Sequence, residues 1–172
     1  MNNKIKKEID SNLEKSDEWK GELIQTILDE LDPSAFERLT QRLLRESGFV
    51  EVEVTGRTGD KGIDGKGIAR INGILSFHVI FQYKRYKNTV GSKEIRDFRG
   101  AMDGRTNKGL FITTGKFTRG AVEEATREGA STIDLVDGDH LAEKLKSLGL
   151  GVKVEIVEIE KVIVDKNWFK TI

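Results

Sequence analysis

The sequence predicts an α/β protein, a partly parallel β-sheet with helices on its faces, preceded by an N-terminal helical extension. Three observations carry this. Apolar residues recur at helical spacing up to about residue 47. Alternating or continuous apolar runs then mark strands. From residue 75 onward strand and helix patterns follow one another as β-α-β-α-β, the order that joins parallel strands through helical crossovers. A chain of 172 residues has room for one domain of usual size and an extension, and we divide it at 1–31, 32–150 and 151–172.

Residues 4–31 read as a helix because Trp19, Leu23, Ile27 and Leu31 fall four apart and form one apolar stripe. Gly21 weakens its middle, which predicts two pieces. Asp32-Pro33 opens a second helix, with an acceptor at the cap and proline at the first helical position. Phe36, Leu39, Leu43 and Leu44 supply its buried face, and Gly48 ends it. Strands follow at 50–55, 64–70 and 75–83, the last two joined by an Ile-Asn-Gly turn at 71–73. A helix at 92–104, a strand at 109–114, a helix at 118–128, a strand at 131–136 and a helix at 139–147 complete the domain. The alternation of Val152–Val164 predicts one long edge strand or two short ones, a β tail over 151–172.

Composition narrows the function. No stretch approaches the roughly 20 apolar residues of a membrane span, and the polar N-terminus does not resemble a signal peptide. The chain has no cysteine, so it can build neither a disulfide nor a thiolate metal site. A cytoplasmic location is expected. The formal net charge of +0 hides an uneven distribution: ten basic and three acidic residues lie between Tyr83 and Arg119, a local charge of +7. Residues 1–56 carry eight basic and thirteen acidic groups (−5), and residues 120–172 carry seven and eleven (−4). A basic middle between acidic ends is the footprint of a polyanion-binding face. Arg85, Lys87, Lys93, Arg96 and Arg99 are the candidate DNA contacts, and 84–99 is the segment expected to track the backbone.

The chemistry lies in three short signals. Asp64 sits in Thr-Gly-Asp-Lys-Gly-Ile-Asp-Gly (58–65), Gln82 and Lys84 in Gln-Tyr-Lys, and Glu37 in Phe-Glu-Arg-Leu. Along a strand, residues two apart share a face, so Gln82 and Lys84 point together with Tyr83 on the other side. Pairing of the two strands would bring Asp64 to both. Asp64 and Glu37 as carboxylate ligands, Gln82 as a neutral ligand and Lys84 as a compact charge suit metal-assisted hydrolysis of a phosphodiester. Gly59, Gly62 and Gly65 would let the backbone approach metal and DNA closely. Each signal alone has a plainer explanation: Asp60 and Asp64 as turn residues, Glu37 as a first-turn carboxylate, His78 as a structural strand residue. With His78 and His140 as the only histidines, a histidine-based triad is improbable.

Read together, these motifs resemble the Mrr-type restriction endonuclease catalytic domain. The resemblance runs through Phe36-Glu37-Arg38-Leu39, Gly59 to Gly65 and Gln82-Tyr83-Lys84-Arg85-Tyr86, then Lys108 to Thr114 and Leu135-Val136-Asp137-Gly138, over about 32–150. It implies a restriction-endonuclease-like mixed sheet of the PD-(D/E)xK type, with glutamine in place of the second acid. It also implies catalytic roles for Asp64 and Lys84, a metal site of Asp64, Glu37 and Gln82, and a lesser place for Asp60. The implied cofactor is Mg2+, with Mn2+ as a substitute. The implied activity is cutting of double-stranded DNA, in many members modified or methylated DNA. Members commonly carry a winged-helix DNA reader ahead of this domain; residues 1–31 look like the connector that would follow one. Reading is therefore expected from a separate domain or subunit. A homodimer is expected for cutting both strands, with the N-terminal helix and C-terminal strand as contacts. The alternatives are a junction-resolving nuclease of the same fold and a non-cutting DNA-binding or assembly module.

Overall fold

The computed structural model describes residues 3–55, 62–156 and 162–172, and for residues 3–16 the backbone alone. The chain opens with α1 (Asn3–Glu30), one uninterrupted helix. Gly21 does not break it, because nothing packs within 4 Å of that position and the cost of one exposed glycine, about 1 kcal/mol, is carried by a helix of 28 residues. Asp32 caps α2 (Pro33–Glu46) as its sequence predicts, its carboxylate accepting from the Ala35 N–H at 2.6 Å.

Then come β1 (Phe49–Val54), β2 (Gly65–Ile71) and β3 (Leu75–Lys84), paired antiparallel in that order. The β2–β3 turn takes positive φ at Asn72 (49°) and Gly73 (71°), the conformation for which an Asn-Gly pair is suited. Beyond a short strand β4 (Thr89–Val90) lie α3 (Ser92–Met102), β5 (Lys108–Thr113), a short β6 (Lys116–Phe117), α4 (Arg119–Ala125), β7 (Thr132–Val136) and α5 (Gly138–Ser147). The main sheet has the order β1-β2-β3-β5-β7, with β5 parallel to both β3 and β7. The mixed sheet is the one expected. The small parallel pair β4–β6 was not, because two-residue strands leave no periodic signal.

Each face of the sheet carries its own core. Ile80, Phe111 and Ile133 pack with Ile95, Phe98 and Met102 of α3 and Ala121 and Ala125 of α4. Phe81 and Ile112 face the other way, onto Ile27, Phe36, Leu43, Leu44, Leu141 and Leu145 from α1, α2 and α5. Alternation along β3 therefore sends Ile80, Gln82 and Lys84 to the α3–α4 side and Phe81 and Tyr83 to the α2 side.

The tail departs from expectation. Its described residues, 152–156 and 162–172, form no strand, and their regular element is a single 3-10 turn at Trp168–Lys170. Alternation sets which side chains share a face but supplies no neighbouring ladder, and a strand needs one.

Candidate active site

The site forms where β2 begins and β3 ends. The Asp64 N–H donates to the Phe81 carbonyl at 3.0 Å, extending the β2–β3 ladder by one residue beyond Gly65↔Phe81. The next rung is made by a side chain: Asp64 Oδ2 accepts the Tyr83 N–H at 2.7 Å. A carboxylate thus takes the place of a backbone carbonyl, which fixes its orientation and halts the regular pairing. The Gly65 Cα lies against the Phe81 ring and the Glu53 carbonyl, where an added Cβ would come within 2.3 and 2.4 Å. Gly65 therefore serves strand packing rather than an approach to DNA. Gly62, at φ 86°, leaves room for the Gln82 amide, whose Nε2 would lie 3.4 Å from a Cβ there. Asp60 and Gly59 fall outside the described residues.

Glu37 enters from α2 just past its first turn, so it is not the first-turn carboxylate of the plainer reading. Its Oε2 accepts the Tyr83 hydroxyl at 3.0 Å, and Gln41 Nε2 stands 3.4 Å from Oε1. The Tyr83 ring packs edge-on to Phe36, centroids 5.9 Å apart. Burial, then the Glu37 hydrogen bond, hold the Tyr83 phenol far above its ordinary range, so it remains a donor. Burial also raises the Asp64 carboxyl, and the Glu37 charge raises it further. The Tyr83 N–H and the Lys84 ammonium act in the opposite sense. Glu37, Asp64 and Lys84 therefore meet electrically in one place, with Gln82 on the same strand face as Lys84.

The β3 end is clamped from the neighbouring strand. The Thr113 hydroxyl and the Thr114 N–H both donate to the Lys84 carbonyl, at 3.1 and 3.2 Å. Thr114 Oγ1 accepts the Tyr86 N–H at 2.7 Å and donates to the Tyr86 carbonyl at 3.0 Å. Both threonines are buried. Sequence reasoning did not single out this pair or Tyr83; a Thr-Thr ending an apolar parallel strand was the available signal for the former. A shallow cleft beside Lys84 is lined by Pro33, Phe36, Tyr83, Arg85 and Tyr86.

The donor set suits a divalent cation. Two carboxylates and an amide offer hard oxygen ligands, and the repulsion that raises Asp64 is relieved by a positive charge between it and Glu37. Among the described residues no three His, Cys, Asp or Glu side chains cluster as a metal site.

The predicted DNA contacts divide. Lys93 and Arg96 are exposed on α3. Arg85 is exposed but donates to the Leu28 carbonyl at 2.7 Å, and Lys87 Nζ stands 3.9 Å from Asp29, so both lean on the end of α1. Arg99 is a correction. It is 7% exposed, donates to the Ser131 and Glu124 carbonyls and pairs with the Glu124 carboxylate at 3.4 Å. Its guanidinium joins α3, α4 and the loop before β7, leaving it unavailable to phosphate.

Comparison with known proteins fixes the class first. The structure is similar to the DNA modification-dependent restriction endonuclease AspBHI, with a TM-score of 0.64 and 26% identity over 76% of this chain and 35% of that one. A likeness of fold extends to the MspJI restriction endonuclease in complex with a 27-mer oligonucleotide, at TM-score 0.61 and 24% identity, covering 74% of this chain and 31% of that one. The chain belongs to the restriction endonuclease family of Mrr catalytic domains, whose model matches residues 28–145. It is 32% identical over 149 residues to the type IV methyl-directed restriction enzyme EcoKMrr of Escherichia coli K12, across 84% of this chain. It spans about half the length of that relative, 47%.

Proposed function

We propose that this chain is the catalytic domain of a metal-dependent DNA endonuclease acting in restriction of foreign, modified DNA. The observation that carries the reading is the convergence of Asp64, Glu37 and Lys84 at the junction of β2 and β3, beside Gln82. The relatives' names support the target class: EcoKMrr is methyl-directed and AspBHI modification-dependent.

Asp64 and Glu37 would hold Mg2+, with Mn2+ as a substitute, and Gln82 would add its amide oxygen. The bound cation supplies polarisation of a phosphoryl oxygen and a lowered pKa for water at the site. Lys84, its backbone carbonyl gripped by Thr113 and Thr114, places a compact positive charge beside the scissile phosphate, where negative charge develops during displacement. Lys93 and Arg96 contact phosphates along the duplex and carry no sequence information by themselves. Target reading falls to a separate domain or subunit. Cutting both strands calls for two centres, hence a homodimer acting in the cytoplasm; no described helix is long and apolar enough to cross a membrane.

The test is incubation with methylated and unmethylated supercoiled plasmid in Mg2+ or in EDTA. Mg2+-dependent nicking or linearisation is expected. Absence of cutting at low salt in both Mg2+ and Mn2+ would sink the reading for this chain alone, and equal cutting of both plasmids would assign modification sensing elsewhere.

A further inference from the structure

We infer that Tyr83 is a positioning residue that locks the two carboxylates of the site in register with each other. Its backbone N–H and its side-chain hydroxyl reach different acids: N–H to Asp64 Oδ2 at 2.7 Å, hydroxyl to Glu37 Oε2 at 3.0 Å. One residue thereby ties the start of β2 to the N-terminal half of α2, elements far apart in the chain. This inference rests on the nuclease reading for its catalytic consequence, but not for its effect on cation affinity.

The local sequence explains how one residue reaches both ways. Gln82, Tyr83 and Lys84 are consecutive on β3, so the central residue faces away from its neighbours' side chains. That side is occupied by α2, which presents Phe36 to the ring and Glu37 to the hydroxyl. Gln82 and Lys84 approach from one face of the strand, and Glu37 is held on the other by Tyr83. Asp64, lying in the strand plane, closes the set.

The arrangement has a consequence for binding a cation. Two negative carboxylates tied to one residue repel each other and are pushed apart unless donors restrain them. Tyr83 supplies one donor to each, consuming one oxygen of each and leaving the other oxygens for a cation. Among the described residues the Asp64 carboxylate accepts no other hydrogen bond, and Glu37 has only the long one from Gln41 besides. Partners that orient metal-binding side chains are typically worth about 10–100-fold in metal affinity or activity.

The substitution that isolates the hydroxyl is Tyr83→Phe, which keeps the ring against Phe36 and keeps the N–H on Asp64. Mn2+ binding is measured by titration calorimetry on the DNA-free protein, beside wild type, Glu37→Gln and the double variant. The expected result for Tyr83→Phe is an Mn2+ Kd raised about 10–100-fold. Its unfolding midpoint and DNA affinity in EDTA are expected to stay near wild type. Cleavage should fall mainly in kcat and recover partly at high Mn2+. The double variant should bind no more weakly than Glu37→Gln, because the hydroxyl acts through Glu37.

Unchanged Mn2+ affinity and unchanged kcat in Tyr83→Phe would overturn the inference while leaving the nuclease reading intact. A weakened Mn2+ affinity in a protein whose wild type cuts no DNA would sustain the positioning role and remove the nuclease reading. Absence of Mn2+ binding by the wild type overturns the inference as well.

Discussion

The two ends of the β2–β3 ladder are built from the same strands and could hardly differ more. At the hairpin end a turn closes the pair, and Ile71, Ile74 and Leu75 stand 51%, 84% and 57% exposed. At the other end no turn closes anything. Asp64, Tyr83 and Glu37 are only partly exposed; the Asp64 carboxylate takes the place of one backbone rung, and the Tyr83 hydroxyl ties the strand to Glu37 of α2. The contrast teaches that the sheet is a rigid carrier, and that the chemistry depends on how its open end is tied rather than on the ladder. Substitutions at the two ends should therefore have opposite profiles: large losses of cleavage with little effect on folding at the open end, and almost no effect of either kind at the hairpin.

The largest effect short of removing a carboxylate is expected at Lys84. Lys84→Ala should lower the single-turnover cleavage rate by about 10²–10³-fold, the usual consequence of losing a positioned charge-stabilising group. Its unfolding midpoint should barely move, since the clamp from Thr113 and Thr114 holds the backbone and not the ammonium. A loss of stability matching the loss of rate would erase the distinction between carrier and site.

Next comes Arg99, which sharpens the comparison from the folding side. Arg99→Ala leaves the largely buried Glu124 carboxylate with Arg127 alone at 3.5 Å and strips the donors from the Ser131 and Glu124 carbonyls, and is expected to destabilise the protein by about 2–3 kcal/mol in denaturant unfolding. At temperatures where it remains folded, its DNA affinity in EDTA should match wild type. Lys93→Ala and Arg96→Ala should do the reverse, preserving stability and each lowering the slope of log affinity against log salt by about 1.

A smaller effect, with a definite sign, concerns pH. Burial and Glu37 raise the Asp64 carboxyl above its unfolded value. Between the two values the folded protein binds more protons than the unfolded chain, so metal-free stability falls as pH rises through that window. At neutral pH, Asp64→Asn should therefore unfold at a slightly higher temperature than wild type in EDTA. That advantage should vanish at pH values below the ordinary carboxylate range. A variant less stable at neutral pH would mean that Asp64 is not strained by its surroundings. Smallest of all, Ile74→Lys should stay within about 0.5 kcal/mol of wild type in stability and leave cleavage unchanged.

The sequence made much of this legible. Strand alternation placed Gln82 and Lys84 on one face, and the cap at Asp32-Pro33 fixed where α2 begins and so put Glu37 near its N-terminal end. Tyr83 was not legible as part of the site, because alternation says that it points away from Gln82 and not that α2 waits there with Glu37. Arg99 was misread for a different reason. Ile95, Phe98, Arg99 and Met102 follow the i, i+3, i+4, i+7 pattern of a buried helix face, and charge counting overrode a periodicity that was present. The Val152–Val164 alternation suggested strands, but no ladder partner accompanies its described residues.

The measurement that bears most directly on the central claim sets Asp64→Asn against wild type on supercoiled plasmid in Mg2+, with DNA affinity measured in parallel in EDTA. The amide can still accept the Tyr83 N–H, so the fold and the DNA face are kept while the charge is lost. The account predicts wild-type affinity with cleavage reduced at least about 10³-fold. Cleavage by Asp64→Asn at a rate near wild type would contradict it, and would show that the junction of β2 and β3 is not where the phosphodiester is cut.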